Sequence, residues 1–98
     1  MYAETILEQL GGRQFLLLTG SKNLVKDDIR KSLTMKLTSN KVKAQYLTVT
    51  LCENDTYTME FVSVNRKFDR VVKASYQEVY NDMLQYIFTE VTGLYTKL

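Results

Sequence analysis

Apolar and polar residues alternate with a period of two along Leu47-Thr48-Val49-Thr50-Leu51. An extended chain with that pattern turns one apolar face and one threonine-rich face outward, which is the signature of a half-buried strand. Leu33-Thr34-Met35-Lys36-Leu37 alternates in the same way. The strand around Leu47 spans 44–52, and Glu53-Asn54-Asp55 turns it into a returning strand over 57–64. Ser39-Asn40-Lys41 and Asn65-Arg66-Lys67 supply the neighbouring turns, and a shorter strand follows at 68–74. The apolar run Phe15-Leu16-Leu17-Leu18 lies between Gly12 and Gly20 and predicts a buried strand over 14–19. Residues 20–31 carry no readable period and are assigned to loop.

Two segments have helical spacing. Ala3, Ile6, Leu7 and Leu10 share one face of a helix over 2–10, which Gly11-Gly12 ends. At the other end of the chain, Ser75 precedes Glu78 by three positions, the capping-box spacing that opens a helix. Val79, Tyr80, Met83, Leu84, Ile87 and Val91 form its apolar stripe, and Gly93 stands where its C-terminal cap belongs. The predicted order is α-β-β-β-β-β-α. This is an α+β fold, a mostly antiparallel sheet of four to five strands with an N-terminal and a C-terminal helix on one face. The alternation also assigns the sheet's two faces. Leu33, Met35, Leu37, Leu47, Val49, Leu51, Met59 and Phe61 meet the helices, while Thr34, Lys36, Thr48, Thr50, Thr58 and Glu60 line the other side. That second face is a wetted surface, a docking surface or a dimer face.

Composition places these elements in one domain. The chain has 98 residues, 45% of them hydrophobic and 24% charged, as expected of a globular domain with a single core. A single cysteine, Cys52, excludes an intramolecular disulfide and fits a reducing compartment. The longest apolar run is too short to span a bilayer, which needs about 20 residues. These features predict a cytoplasmic protein with no membrane partner.

Net charge is only +2, yet it is unevenly distributed. Lys22, Lys26, Arg30, Lys31, Lys36, Lys41 and Lys43 crowd one stretch against Asp27 and Asp28, and Arg66, Lys67, Arg70 and Lys73 form a second group around Asp69. One reading is an anionic partner. The other is a solvated edge that lysines guard against aggregation.

Catalytic chemistry finds little support. There is no histidine, which removes Ser-His-Asp and Cys-His nucleophilic catalysis and the usual zinc sites. Cys52 has no base to activate it. Glu53 and Asp55 flank a turn but lack the ligand count of a calcium loop. Thr19-Gly20-Ser21-Lys22-Asn23 departs from a phosphate-binding loop in residue order, and remains the place where a small anion is first expected. The sequence therefore predicts no enzyme, no cofactor and no metal.

Ile6-Leu7-Glu8-Gln9-Leu10-Gly11-Gly12, Leu18-Thr19-Gly20-Ser21-Lys22-Asn23, Asp55-Thr56-Tyr57, Tyr80-Asn81-Asp82-Met83-Leu84 and Phe88-Thr89-Glu90-Val91-Thr92-Gly93-Leu94-Tyr95 occur in this order. In that order and spacing the chain resembles a family of small uncharacterised proteins encoded by bacteriophages and integrated mobile elements. The resemblance covers most of the chain and assigns no residue a role. It implies a cytoplasmic protein of a bacterial host cell that acts by stoichiometric binding. The expected partner is a host protein or protein–nucleic-acid complex, such as a defence factor of the CRISPR type. The expected contacts are Lys22, Lys26, Arg30, Lys31, Lys36, Lys41 and Lys43. The alternatives are direct nucleic-acid binding by the same residues, and a homodimer formed through the threonine-rich face.

Overall fold

The alternating segments build a five-stranded meander in which every neighbouring pair is antiparallel. The computed structural model describes residues 2–96. In chain order these form α1 (Tyr2–Leu10), α2 (Gly12–Thr19), β1 (Lys22–Asp27), β2 (Ser32–Lys36), β3 (Tyr46–Leu51), β4 (Tyr57–Val64), β5 (Arg70–Val79), a 3₁₀ turn at Asn81–Met83, and α3 (Leu84–Thr92). The sheet order is β1-β2-β3-β4-β5.

The face assignment from period two is borne out. Leu33, Met35, Leu47, Val49, Met59 and Phe61 are buried with Ala3, Ile6 and Leu10 of α1, Phe15 of α2, and Leu84, Phe88 and Val91 of α3. Leu37 is buried with them and Leu51 packs against the cluster's edge. All three helices therefore cover one side of the sheet. Phe88 joins the layers: its ring lies 4.9 Å from Phe15 in an edge-to-face arrangement and 6.3 Å from Phe61. On the opposite side, Thr34 pairs with Thr48, Thr48 with Glu60 and Thr50 with Thr58.

Three sequence assignments are corrected. Residues 14–19 are helical, not extended, and belong to α2. An unbroken apolar run has no period to tell helix from strand. Here the run wraps a helix, burying Phe15 and Thr19 and leaving Leu17 exposed to solvent. The Thr19 hydroxyl donates to the Phe15 carbonyl one turn back, and Gly20 ends the helix in the left-handed conformation, its N–H bonded to Leu16 O. Glycine is required at that position: a Cβ would stand 2.7 Å from Thr38 Cγ2.

The second correction concerns residues 20–31, read as loop. They contain β1, an edge strand paired to β2 from Lys22↔Lys36 to Asp27↔Ser32. Strand count survives because one expected strand is lost and one unexpected strand is gained. The third concerns the last helix. Ser75, Glu78 and Val79 lie in β5, so the Ser75–Glu78 capping box does not form. Without β5 the amides and carbonyls along one side of β4 would lack partners, and satisfying that ladder outweighs a local capping preference. Val71 and Val72 add the β-branched side chains that strands favour. Helix α3 starts only at Leu84, with no capping side chain at Met83, while Gly93 ends it as expected. Tyr80 and Met83, assigned to the apolar stripe, are exposed, and Phe88, left out of it, is fully buried.

Candidate functional site

Antiparallel register sorts the basic residues between the two ends of the sheet. Lys22 starts β1 and stands directly opposite Lys36 at the end of β2, which in turn stands opposite Tyr46 at the start of β3. The β2–β3 loop, 37–45, leaves from this end and carries Lys41 and Lys43. The β4–β5 turn, 65–69, lies at the same end because Val64 closes β4 against Arg70. Four of the seven expected contacts, Lys22, Lys36, Lys41 and Lys43, are thus joined there by Arg66, Lys67 and Arg70. Lys26, Arg30 and Lys31 lie toward the far end, across a strand roughly 17 Å long at ~3.4 Å per residue. Asp27, Asp28, Glu53, Asp55 and Glu78 also lie there, at the ends of β1 and β5 and in the β3–β4 turn. The small net charge conceals a molecule that is basic at one end and acidic at the other.

Pairing separates the groups further. Lys26 Nζ lies 2.5 Å from Glu4 Oε1 of α1. That contact lowers the Glu4 pKa and raises the Lys26 pKa. Arg30 Nε is 3.8 Å from Asp27 Oδ2, and Arg70 bonds Glu60 across the open face. Among the described residues, Lys22, Lys36, Lys41, Lys43, Arg66 and Lys67 form no ion pair. Like charges directly opposite on neighbouring strands destabilise a sheet, so the Lys22–Lys36 pair gains nothing for the fold. Lys41 differs. Its N–H donates to Thr92 O at the end of α3, where a cation complements the helix dipole.

Both loops at the basic end are fixed by asparagines. Asn40 donates through Nδ2 to Thr38 O (2.8 Å) and Ala44 O (2.7 Å) and accepts from Ala44 N–H (3.0 Å). This shapes a depression of about 480 Å³ lined by Lys36, Leu37, Thr38, Ser39, Asn40, Lys43, Ala44 and Gln45. Gln45 ties the loop to β4: its N–H donates to Val62 O, and its Oε1 accepts from Val64 N–H. In the second loop, Asn65 Oδ1 accepts from Lys67 N–H (2.9 Å) and Asp69 N–H (3.0 Å). At the tip, Phe68 is 88% exposed and has φ +64°. Sequence reading placed Phe68 in a strand. The available signal was an aromatic residue directly after the basic turn Asn65-Arg66-Lys67.

The threonine-rich face is a separate surface. Thr34 and Thr48 hydroxyls are 3.0 Å apart. A depression of about 370 Å³ spans Val25, Asp27, Arg30, Ser32, Thr34, Thr48, Thr50, Glu60 and Arg70. Its two arginines are both engaged with carboxylates.

Residues 19–23 do not form an anion cradle. Thr19 and Ser21 are buried with their hydroxyls 2.8 Å apart, and the segment follows the C-terminal end of α2, where the dipole repels anions. Cys52 is half-buried with its thiol 4.0 Å from Thr50 O. Among the described residues no three Cys, Asp or Glu side chains are grouped to hold a metal, and no helix is long and apolar enough to cross a membrane. No protein-family model, curated protein or solved structure matches the chain.

Proposed function

We propose that the protein is a non-enzymatic binding protein that holds nucleic acid on the basic end of its sheet, in the cytoplasm of a bacterial host. Origin in a phage or mobile element and stoichiometric action belong to the same proposal. The observation that carries it is the pairing of Lys22 with Lys36 without an acid, at the same end of the sheet as Lys43, Arg66 and Lys67. Four strand spacings of ~4.8 Å make that end about 19 Å wide, enough to follow several phosphates. An exposed aromatic at the same end adds the second ingredient of a nucleic-acid surface. These features favour direct nucleic-acid binding over the occluded protein partner. They also narrow the contact set to Lys22, Lys36 and Lys43 with Arg66 and Lys67.

Fluorescence anisotropy with mixed-sequence DNA and RNA between 50 and 200 mM salt tests this. Five phosphate contacts release counterions so that affinity falls about 130-fold on a single strand and about 500-fold on a duplex over that range. Lys22→Ala, Lys36→Ala and Lys43→Ala each lower the logarithmic slope by ~0.7–0.9, whereas Lys26→Ala leaves it unchanged. Absence of binding, or binding indifferent to salt, overturns the proposal. A host protein captured through the same lysines after nuclease treatment replaces nucleic acid with an acidic protein surface.

A further inference from the structure

Phe68 sits where the fold has least use for a phenylalanine. The turn 65–69 closes through Phe68 N–H to Asn65 O (3.0 Å) and Asn65 N–H to Asp69 O (3.1 Å). Its last loop position is left-handed, as in three-residue hairpin loops that end in glycine. A bulky side chain is strained at φ +64°. The ring recovers little of that cost by burial, being 88% exposed, and among the described residues it has no aromatic partner. The Asn65 hydrogen bonds to Lys67 N–H and Asp69 N–H fix the backbone on either side of Phe68; Arg66 and Lys67 precede it, and Asp69 and the Glu60-paired Arg70 follow.

We infer that Phe68 is a stacking platform for an unpaired base, so that the basic end selects single-stranded over duplex nucleic acid. This rests on the nucleic-acid reading above. In a duplex the base faces are already stacked on one another, and a ring at a hairpin tip meets only edges and phosphates. In a single strand each base offers a free face, and an aromatic ring accepts any of them without regard to sequence. Neighbouring cations would hold the flanking phosphates while the ring takes the base between them. The hydrogen-bonded turn matters because the backbone that carries the ring is already placed at the basic end, so no loop has to order on binding.

The experiment compares wild type, Phe68→Gly and Phe68→Tyr for a labelled mixed-sequence single strand and its duplex over a salt series of about 50–200 mM, by anisotropy. Wild type binds the single strand more tightly. Phe68→Gly weakens single-strand binding about 5- to 140-fold, the worth of one stacked base, and leaves duplex affinity and the salt slope unchanged. Phe68→Tyr retains binding. Glycine suits the left-handed position, so Phe68→Gly melts no lower than wild type and its loss of binding is not loss of fold. If both ligands bind and Phe68→Gly changes neither, stacking is refuted while nucleic-acid binding stands. If Phe68→Gly weakens both equally, the ring acts as a wedge on duplexes and single-strand selection is refuted. If wild type binds neither ligand, the proposed function itself fails and this inference goes with it.

Discussion

Phe88→Ala opens a hole where three elements meet. The ring is fully buried, touches Phe15 of α2 edge-on at 4.9 Å and lies 6.3 Å from Phe61 of β4. Truncating a buried phenylalanine to alanine costs about 3–5 kcal/mol, through lost transfer energy and the cavity left behind. A chain of 98 residues has a total stability of roughly 5–15 kcal/mol, so the variant loses a large share of it. Phe15→Ala, also fully buried, falls in the same range. The double variant costs less than the sum of the two by ~0.5–1.5 kcal/mol, the worth of the edge-to-face contact. Urea denaturation followed by circular dichroism reads all four corners of the cycle, with the m-value checking that unfolding stays two-state. Phe15→Leu and Phe88→Leu form a milder cycle if an alanine variant does not fold. A coupling indistinguishable from zero in both cycles would mean that α2 does not pack on α3 through these rings. The helical assignment of Gly12–Thr19 would then lose its main packing support.

Two further outcomes, besides the salt dependence and the Phe68 series, follow from particular contacts. Asn40→Ala removes three hydrogen bonds that shape the 37–45 loop, costing about 1–3 kcal/mol. It lowers nucleic-acid affinity along with stability, and full affinity in a destabilised variant would show that Lys43 needs no fixed loop. Burial, helped by the Asp55 charge, raises the Tyr57 pKa in the folded state. The neutral phenol is therefore favoured by folding, and its contribution is complete below the unfolded value near pH 10 and lost as pH rises through the folded one. Tyr57→Phe should flatten the fall in melting temperature above about pH 10. Parallel alkaline profiles for variant and wild type would refute that assignment.

The legible parts of the fold are those where a period carries the information. Residues 33–37, 47–51 and 57–61 alternate, and each alternating apolar residue from Leu33 to Phe61 faces the helices, with Leu51 at the rim. Helix 2–10 and its glycine stop, and the glycine end of α3, were equally plain. Phe15-Leu16-Leu17-Leu18 was not, because four consecutive apolar residues fit a buried strand as well as a helix. Nor was β1: Lys-Asn-Leu-Val-Lys-Asp has no face of its own and becomes extended because β2 offers it an edge. In the candidate site, nearness in sequence misled. Lys22 through Lys43 read as one patch, but a hairpin places the start of β1 and the turn after it at opposite ends of the sheet.

By itself the sequence determined the α+β class, the two faces of the central strands and the absence of histidine chemistry, since these depend on residue identity and short-range spacing. Tertiary structure decided everything that depends on partners. The ladder to β4 drew residues 75–79 out of a helix pattern and into β5. The same meander brought Arg66 and Lys67 to the same end of the sheet as Lys22, Lys36 and Lys43, and left Phe68 there in water. Charge on a side chain is local, whereas its meaning depends on which other charges the strand register sets against it.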